Sequence, residues 1–256
     1  MEERQTNYTI AEGYELPSHG LIYSKKVNPH VELRSMTARD EMKRLNPSTS
    51  RFKVLADIID GCLIENPGIS AYDMILGDYE YLLHRLRVVT YGDSYKTLVG
   101  CPHCGEEAVE TVAHLDDLEV KPFDKDKFDE LKTFTLPKSN HVITIKFETP
   151  RILDEIDAKT KEMSRKYKDV TIDFKTLVIL TTLIESIDGN PADPTKIESF
   201  VNKLPAMDML KIQNNIESLS NMVGINNIMH VECPKCGGDI LTFFRFGSEF
   251  FRPTTI

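Results

Sequence analysis

Signatures of catalysis and of nucleotide binding are absent from this sequence of 256 residues. It contains no P-loop, no G-x-G-x-x-G fingerprint, no G-x-S-x-G elbow and no H-E-x-x-H zinc motif. Its 7 histidines are scattered, and none stands in a recognisable pattern with a nucleophile or a metal ligand. Asp116 and Asp117 could form a catalytic carboxylate pair, but an exposed acidic turn explains them more simply. We therefore predict that the protein is not an enzyme.

Long apolar runs and an excess of basic residues are also missing. The longest apolar stretches, such as residues 177–180, are too short to span a bilayer. The first residues lack the basic start and apolar stretch of a secretory signal. The 40 acidic residues outnumber the 31 lysines and arginines, and the formal net charge of −9 argues against a general binder of phosphate backbones. We expect a protein of the reducing cytoplasm that contacts neither membranes nor nucleic acids.

Cysteine is scarce, yet four of the 5 cysteines occur in two copies of one motif, Cys-Pro-x-Cys-Gly. In each copy the proline presets a turn and the glycine permits a positive φ, so that both sulfurs can face one point. Two such knuckles supply the four thiolates of a tetrahedral structural zinc site. We predict that Cys101, Cys104, Cys233 and Cys236 bind one Zn²⁺, whose closed coordination shell serves structure and not catalysis.

Two other uses of these motifs stay open from the sequence. Each pair could be a separate redox dithiol or a local disulfide, because residues 105–232 separate the motifs by far more than the usual roughly 15–20 residues. A disulfide within this spacing is strained, and nothing in the sequence indicates an oxidising compartment. The fifth cysteine, Cys62, lies in the apolar run 58–64 and is predicted to be a core residue.

The pattern of apolar residues predicts an α+β protein with three regions. Residues 1–94 are predicted to form an N-terminal strand and helical region. Residues 95–120 and 225–256 are predicted to form a zinc-ribbon-like module that carries the two knuckles. Residues 121–224, which lie between the halves of this module, are predicted to form a large insertion of a β-hairpin and helices. The zinc would then hold the two halves together across the insertion.

Local signals predict the elements within these regions. Thr37 followed by Asp40 indicates a capping box, and Pro150 suits the first turn of a helix that runs to about residue 167. In the predicted helix 78–91 an apolar stripe faces the core, while Arg85 and Arg87 lie toward the other side. The other predicted helices cover 37–45, 50–64, 70–76, 173–186, 194–204 and a segment from 205, and the predicted strands cover 31–36, 95–99, 108–113, 134–136, 142–147, 228–231 and 240–246.

Phenylalanines crowd near the end of the sequence, with five of them among residues 243–251. Such a segment either packs back on the protein or is offered to a partner, because large apolar side chains are seldom left exposed without a function. Internal packing is the favoured interpretation. If the segment docks to a partner instead, Phe250, Phe251 and Arg252 are the candidate contact residues.

Several segments together resemble a known family. They are residues 16–23 (LPSHGLIY), 31–37 (VELRSMT), 77–83 (GDYEYLL), 86–92 (LRVVTYG) and 250–253 (FFRP), together with the two cysteine motifs. This combination spans nearly the whole chain and resembles the baseplate hub assembly proteins of T-even-type contractile-tailed bacteriophages. The resemblance implies a role in building the hub of the tail baseplate, as a hub component or as an assembly chaperone.

The resemblance also implies partners and a location. The partners would be phage tail or baseplate hub proteins, and the location would be the host cytoplasm during assembly, with or without retention in the virion tail baseplate. The alternative from a different class is a zinc-ribbon nucleic-acid-binding or transcription-associated factor. Acidic residues around the knuckles, among them Glu106, Glu107, Glu110 and Asp239, oppose this alternative, because phosphate binding needs a basic surface.

Overall fold

The computed structural model describes residues 9–46, 50–168, 173–191, 193–243 and 250–251 of the chain. Within these residues ten strands and eight α-helices follow one another along the chain. The strands are β1 (Ala11–Glu15), β2 (His30–Arg34), β3 (Ser94–Val99), β4 (Val109–His114), β5 (Thr133–Thr135), β6 (Val142–Ile145), β7 (Ile184–Ile187), β8 (Asn190–Pro191), β9 (Ile228–Glu232) and β10 (Asp239–Phe243). The helices are α1 (Ala38–Leu45), α2 (Arg51–Cys62), α3 (Leu76–Tyr91), α4 (Lys125–Lys132), α5 (Pro150–Lys166), α6 (Phe174–Leu183), α7 (Pro194–Val201) and α8 (Ala206–Ser220).

The strand pairs are antiparallel and belong to separate small sheets. In the described part of the chain, β1 pairs with β2, β3 with β4, and β9 with β10, whereas β5, β6, β7 and β8 form one four-stranded sheet in that order. The α-helices lie in the N-terminal region and in the predicted insertion between the cysteine motifs. This mixture of helices with antiparallel sheets agrees with the predicted α+β class.

One hydrophobic cluster joins the N-terminal region to the hairpins that carry the cysteine motifs. Helices α2 and α3 pack on β2, and α3 contributes fully buried side chains such as Leu82 and Leu86. From the hairpins come Val109, Val231 and Ile240, which are also buried in this cluster. The two hairpins therefore share a core with the N-terminal region.

A second hydrophobic cluster lies mainly within the predicted insertion. It gathers residues of α4, α6, α7, α8 and the four-stranded sheet, among them Phe128, Ile143, Leu183, Ile197 and Ile212. Val120 and Ile225 form an antiparallel bridge, so the chain enters and leaves this region at adjacent points. The division into three regions with the bounds given above stays a prediction.

The start of α3 holds the turn over residues 16–23 in place. Asp78, in the first turn of the helix, is fully buried. Its carboxylate accepts hydrogen bonds from the Ser18 backbone N–H (2.9 Å), from the Ser18 hydroxyl and from the Tyr23 hydroxyl (2.6 Å). The Tyr23 oxygen in turn accepts from the backbone N–H of Ile75 at 3.1 Å. Because Tyr23 packs against both hydrophobic clusters, this network fixes the turn at their junction.

Several predicted elements differ from the structure. The helix predicted over 173–186 ends at Leu183, and the next residues form β7, because they pair with β6 to extend the sheet. The helix predicted over 70–76 is a single 3₁₀ turn at Ala71–Asp73. Helix α4 was not predicted, since Phe128 is its one buried residue and gives no periodic apolar stripe. The predicted strand 240–246 is β10 up to Phe243, and its last three residues lie outside the described part.

The capping signals are confirmed. The Thr37 hydroxyl accepts from the N–H of Asp40, and the Asp40 carboxylate accepts from the N–H of Thr37, which completes the capping box of α1. Pro150 opens α5, and Thr149 caps the helix by accepting from the Ile152 N–H. Both helix starts were predictable because each depends on residues a few positions apart.

A half-buried glutamate on α3 predicts a pH dependence of stability. Burial raises the pKa of Glu80 to about 7; Lys121 opposes this shift and Glu148 adds to it. Since the unfolded pKa is about 4.3, the folded state retains a proton that the unfolded state releases, and stability falls as the pH rises from about 4.3 towards 7.

As the pH rises from 5 to 7.5, we therefore expect the native protein to lose about 2 kcal/mol of unfolding free energy that the Glu80→Gln variant retains. Urea unfolding at both pH values measures the difference. The exposed Glu155→Gln is the matched control and should leave the pH profile unchanged. Parallel pH profiles of the native protein and Glu80→Gln would show that Glu80 does not titrate in this range.

Candidate metal centre

Two β-hairpins carry the predicted cysteine ligands at their turns. Residues 101–104 lie in the connection from β3 to β4, and residues 233–236 lie in the connection from β9 to β10. The hairpins lie side by side through β4 and β9, where the Thr111 hydroxyl donates to the Glu232 carbonyl at 3.1 Å. Val109 on one hairpin and Val231 on the other are buried in the shared cluster. This packing brings both cysteine turns to the same end of the paired hairpins.

The two turns have the same backbone hydrogen bonds. The Gly105 N–H donates to the Cys101 carbonyl at 3.1 Å, and the Gly237 N–H donates to the Cys233 carbonyl at 2.8 Å. Both glycines have positive φ, 75° and 69°, as the motif predicts. The N–H of each first cysteine also donates across its hairpin, from Cys101 to the Glu106 carbonyl and from Cys233 to the Gly238 carbonyl. The motif therefore dictates the local geometry.

The four sulfur atoms converge on one point. All of them lie within 4.8 Å of one another, with 3.7 Å between the Sγ atoms of Cys101 and Cys236 and 3.9 Å between those of Cys104 and Cys233. A tetrahedron with Zn–S bonds of about 2.3 Å has sulfur–sulfur separations of about 3.8 Å. The four cysteines could therefore bind one metal ion, and each hairpin supplies two ligands. This arrangement favours one shared site over two independent redox pairs, because the short sulfur–sulfur distances join cysteines of different motifs.

The electrostatics of the four thiols favour a bound cation. The Cys104 N–H, with help from that of His103, lowers the pKa of Cys101 to about 6. The Gly238 N–H lowers the pKa of Cys236, but lost hydration and the three neighbouring sulfurs outweigh it and raise this pKa to about 12. Four thiolates at this separation repel one another, and a divalent cation would relieve the repulsion and ionise all four.

Contacts outside the sulfurs hold the two cysteine turns together. The His103 Nε2–H donates to the Asp239 carbonyl at 2.8 Å, and the Lys235 ammonium lies 2.6 Å from a carboxylate oxygen of Glu106. The His103 ring also lies against Gly238, where an added Cβ would come within 2.5 Å of it. His103, one of the scattered histidines that show no recognisable pattern in the sequence, thus links the turns.

Other cysteine, carboxylate and histidine side chains make contacts that do not include the four sulfurs. Cys62 is fully buried in α2, and burial raises its thiol pKa to about 11, as expected of an inert core cysteine. Asp116, considered above with Asp117 as a catalytic pair, forms an ion pair with Arg85 at 2.6 Å. His230 lies 3.0 Å from the Asp239 carboxylate on the exposed face of its hairpin. None of these contacts resembles a nucleophile with its base.

The predicted partner-contact residues near the end of the chain occupy the core where they are described. Phe250 and Phe251 are 1% and 4% exposed, and their ring centroids lie 5.0 Å apart. The Arg44 guanidinium stacks 5.6 Å from the Phe251 ring. Phe250 and Phe251 therefore pack inside the protein, as the first of the two alternatives given for this segment predicts. Arg252 lies outside the described residues, and a partner contact by these three residues stays a prediction.

Arg87 anchors this segment from inside the protein, which corrects its predicted place on the solvent side of α3. The side chain is fully buried and donates hydrogen bonds to the carbonyls of Phe250 (3.1 Å), Ser94 (3.0 Å) and Gly92. Its guanidinium also lies 5.7 Å from the Tyr91 ring centroid. A sequence pattern cannot predict this burial, because the three partners of Arg87 are backbone carbonyls. Every residue has a backbone carbonyl, so no residue type in the sequence marks the partners.

We expect Arg87→Met to lower the free energy of unfolding by about 2–3 kcal/mol, because it removes three hydrogen bonds that a fully buried charged group donates. Urea unfolding measures the loss. The exposed Arg39→Met is the control and should change stability by less than about 0.5 kcal/mol. Equal effects of the two substitutions would contradict an anchoring role of Arg87.

Together, the fold and the cysteine cluster define a class of protein: a mixed helix-and-strand protein with a closed set of four thiols and no recognised catalytic constellation in its described part. The chain belongs to the T4 bacteriophage base plate protein family, whose model matches residues 14–252. The resemblance to T4-type baseplate proteins is thereby confirmed over nearly the whole chain. No curated protein and no solved structure matches the chain.

Family membership gives the protein a structural role related to the phage baseplate, and it indicates a non-enzymatic component that interacts with other tail proteins. None of the described helices has the length and apolar character needed to cross a membrane.

Proposed function

We propose that this protein is a component or an assembly chaperone of the baseplate hub that acts through protein–protein contacts, with one structural Zn²⁺ bound by Cys101, Cys104, Cys233 and Cys236. The observation that carries the proposal is the family match over residues 14–252. Four protein ligands complete the coordination of zinc and leave no position for a substrate or water. The metal would therefore stabilise the paired hairpins, and the activity of the protein would lie in its surface.

Deletion of the gene from its phage tests this function. We expect infected cells to accumulate incomplete tails without hubs, and a plasmid copy of the gene to restore infectious particles. Mass spectrometry of purified tails then separates the two roles: a component remains in the particles, and a chaperone is present in lysates but absent from finished tails. Normal baseplates in the deletion phage would contradict both roles.

A zinc-ribbon nucleic-acid-binding factor is the second candidate function. It is considered because two paired hairpins carry the four cysteines at their turns. The surroundings of the hairpins oppose it. Two of the lysines there, Lys96 and Lys235, are each within 4 Å of a glutamate carboxylate, that of Glu110 or Glu106. Binding to a phosphate backbone requires unpaired basic residues. We expect no binding of duplex DNA at physiological salt in a fluorescence-polarisation titration; micromolar, salt-sensitive binding would favour this candidate instead.

A further inference from the structure

A cleft at the junction of the two hydrophobic clusters has the charge opposite to that of the protein as a whole. Its volume is about 380 Å³, within the range of roughly 300–1,000 Å³ that is usual for ligand sites. Four cationic side chains line it, those of Lys25, Lys132, Lys146 and Arg151, with only two carboxylates. The cleft thus carries a formal charge of about +2 by the ordinary ionisation of these groups, in a chain whose net charge is −9.

Two of these cations already have acidic partners. Arg151 forms a double hydrogen bond with the Asp73 carboxylate at 2.6 and 2.9 Å, and Lys132 lies 3.6 Å from Glu185. The Arg151 guanidinium also stacks on the Tyr72 ring, 4.5 Å from its centroid. The two carboxylates that line the cleft are therefore occupied, and Arg151 is held in one position.

The other two cations, Lys25 and Lys146, are available to a ligand. In the described part of the chain neither ammonium group forms a salt bridge within 4 Å: the charge of Lys25 contributes at longer range to the lowered pKa of Asp73, and Lys146 makes a long hydrogen bond of 3.4 Å to the Thr182 carbonyl. Both side chains are exposed. The N-terminus of α5, which begins beside them at Pro150, adds a positive potential. These groups fit one carboxylate or a pair of carboxylates.

The floor of the cleft is apolar. Ile22, Tyr23, Phe147 and Ile152 line it, all of them partly buried, and the Tyr23 and Phe147 rings meet edge to face at 6.0 Å. The hydrogen bond from Tyr23 to Asp78 fixes this floor from below. An anion that is only a point charge would leave such a surface wet, whereas an aromatic or branched aliphatic side chain would cover it.

We propose that this cleft binds an acidic–aromatic segment of another tail protein, with an aromatic side chain on the floor and neighbouring carboxylates held by Lys25 and Lys146. The choice of a protein segment as the ligand rests on the proposed function, since proteins of this family act among other tail proteins. A volume of about 380 Å³ suits one or two side chains of an extended segment. A nucleic acid fits poorly, because two unpaired lysines in an acidic protein give little attraction for a phosphate backbone.

Titration of the full-length protein with short peptides tests the cleft directly. The probe is the tripeptide acetyl-Asp-Phe-Glu-amide, and the readout is the NMR signals of labelled isoleucine methyl groups, among which Ile22 and Ile152 report on the floor. We expect saturable shifts of these two signals. The neutral analogue acetyl-Asn-Phe-Gln-amide and the ring-free analogue acetyl-Asp-Ala-Glu-amide should bind at least about tenfold more weakly, since each lacks one of the two contacts.

Charge reversal locates the binding residues. The double variant Lys25→Glu with Lys146→Glu should weaken binding of the tripeptide by about tenfold or more. Lys159→Glu with Lys161→Glu changes the charge equally on the exposed surface of α5 and should bind as the native protein does. Equal thermal unfolding of the two variants verifies that both are folded. Equal binding of the tripeptide by the two double variants would overturn the proposal. So would displacement of the tripeptide by inorganic phosphate at the same concentration at which the unlabelled tripeptide displaces it.

Phage complementation separates this inference from the proposed function. If the gene is required for baseplates but the Lys25→Glu, Lys146→Glu variant complements fully, the cleft is not a docking site and the proposed function stands. If the tripeptide binds as expected but the deletion phage builds normal baseplates, the proposed function fails while the site remains. Reduced complementation by this variant alone, with normal complementation by the Lys159→Glu, Lys161→Glu control, is the result that supports both.

Discussion

Replacing Cys233 with alanine should release the metal from the whole centre, including from Cys101 and Cys104 on the other hairpin. The four sulfurs converge within 4.8 Å, so a single ion would depend on both hairpins. Metal analysis of the purified native protein should give about one zinc per chain, and the variant should retain almost none. Because structural zinc contributes large folding free energies, we also expect the variant to lose at least about 3 kcal/mol of stability.

Cys62→Ala is the matched control for this experiment, since Cys62 is a buried cysteine outside the cluster. It should keep one zinc per chain and lose only about 1–2 kcal/mol, the cost of a small cavity. Chelation with EDTA should destabilise the native protein and Cys62→Ala alike, and should leave Cys233→Ala unaffected. Metal retained through Cys101 and Cys104 after the loss of Cys233 would show that the two pairs are independent.

The cysteine turns were predictable because their information is local and chemical. A proline, two thiols and a glycine within five residues dictate each turn, and the positive φ of Gly105 and Gly237 follows from the motif alone. That the two turns would meet could be expected from the preference of metals for four thiolates. What brings them together physically, the packing of β4 on β9 and the clasp of His103 on Gly238, is tertiary and has no sequence signal.

The elements that could not be predicted share a different cause. Arg87 lies on α3 at a position that helical periodicity assigns to solvent, yet three backbone carbonyls make its burial favourable. In the segment that contains α6 and β7, no glycine or proline marks the change from helix to strand. Pairing with β6 on one side and with β8 on the other stabilises the strand there. The periodicity of apolar residues predicts which face of an element is buried. Hydrogen bonds to backbone from distant segments determine the burial of Arg87 and the change from helix to strand after α6.

The cleft between the clusters illustrates the same limit for function. Lys25 is far in the sequence from Lys132, Lys146 and Arg151, and no motif links these ordinary charged residues. The turn 16–23, which is bound to α3 through Asp78, brings Lys25 to the same cleft as the other three. Internal packing is the interpretation that the sequence favours for the phenylalanines near its end, and the structure buries Phe250 and Phe251. The proposed partner surface, by contrast, is defined only by the positions of side chains in the folded protein.

Replacing Gly77 with alanine should destabilise the protein severely, although alanine is the better helix former. Gly77 lies in the first turn of α3, directly against the backbone that follows α8. A methyl group there would lie 2.2 Å from the carbonyl oxygen of Val223 and 2.5 Å from its carbonyl carbon. Gly224, the next residue of that loop, has a φ of 113°, and its own added Cβ would lie 3.0 Å from the Gly77 Cα. All of these are backbone atoms, which cannot move aside as the end of a flexible side chain could.

We expect Gly77→Ala to lower the free energy of unfolding by about 4 kcal/mol, because overpacking against backbone must separate α3 from the loop over residues 223–224. Gly61→Ala provides the contrast: Gly61 lies inside α2 with nothing within 4 Å of an added Cβ. That variant should gain about 0.5–1 kcal/mol from helix propensity alone. Urea unfolding of the two variants beside the native protein measures both changes. If Gly77→Ala is as stable as Gly61→Ala, α3 does not pack against Val223, and the junction between the two hydrophobic clusters is arranged differently from the structure described here.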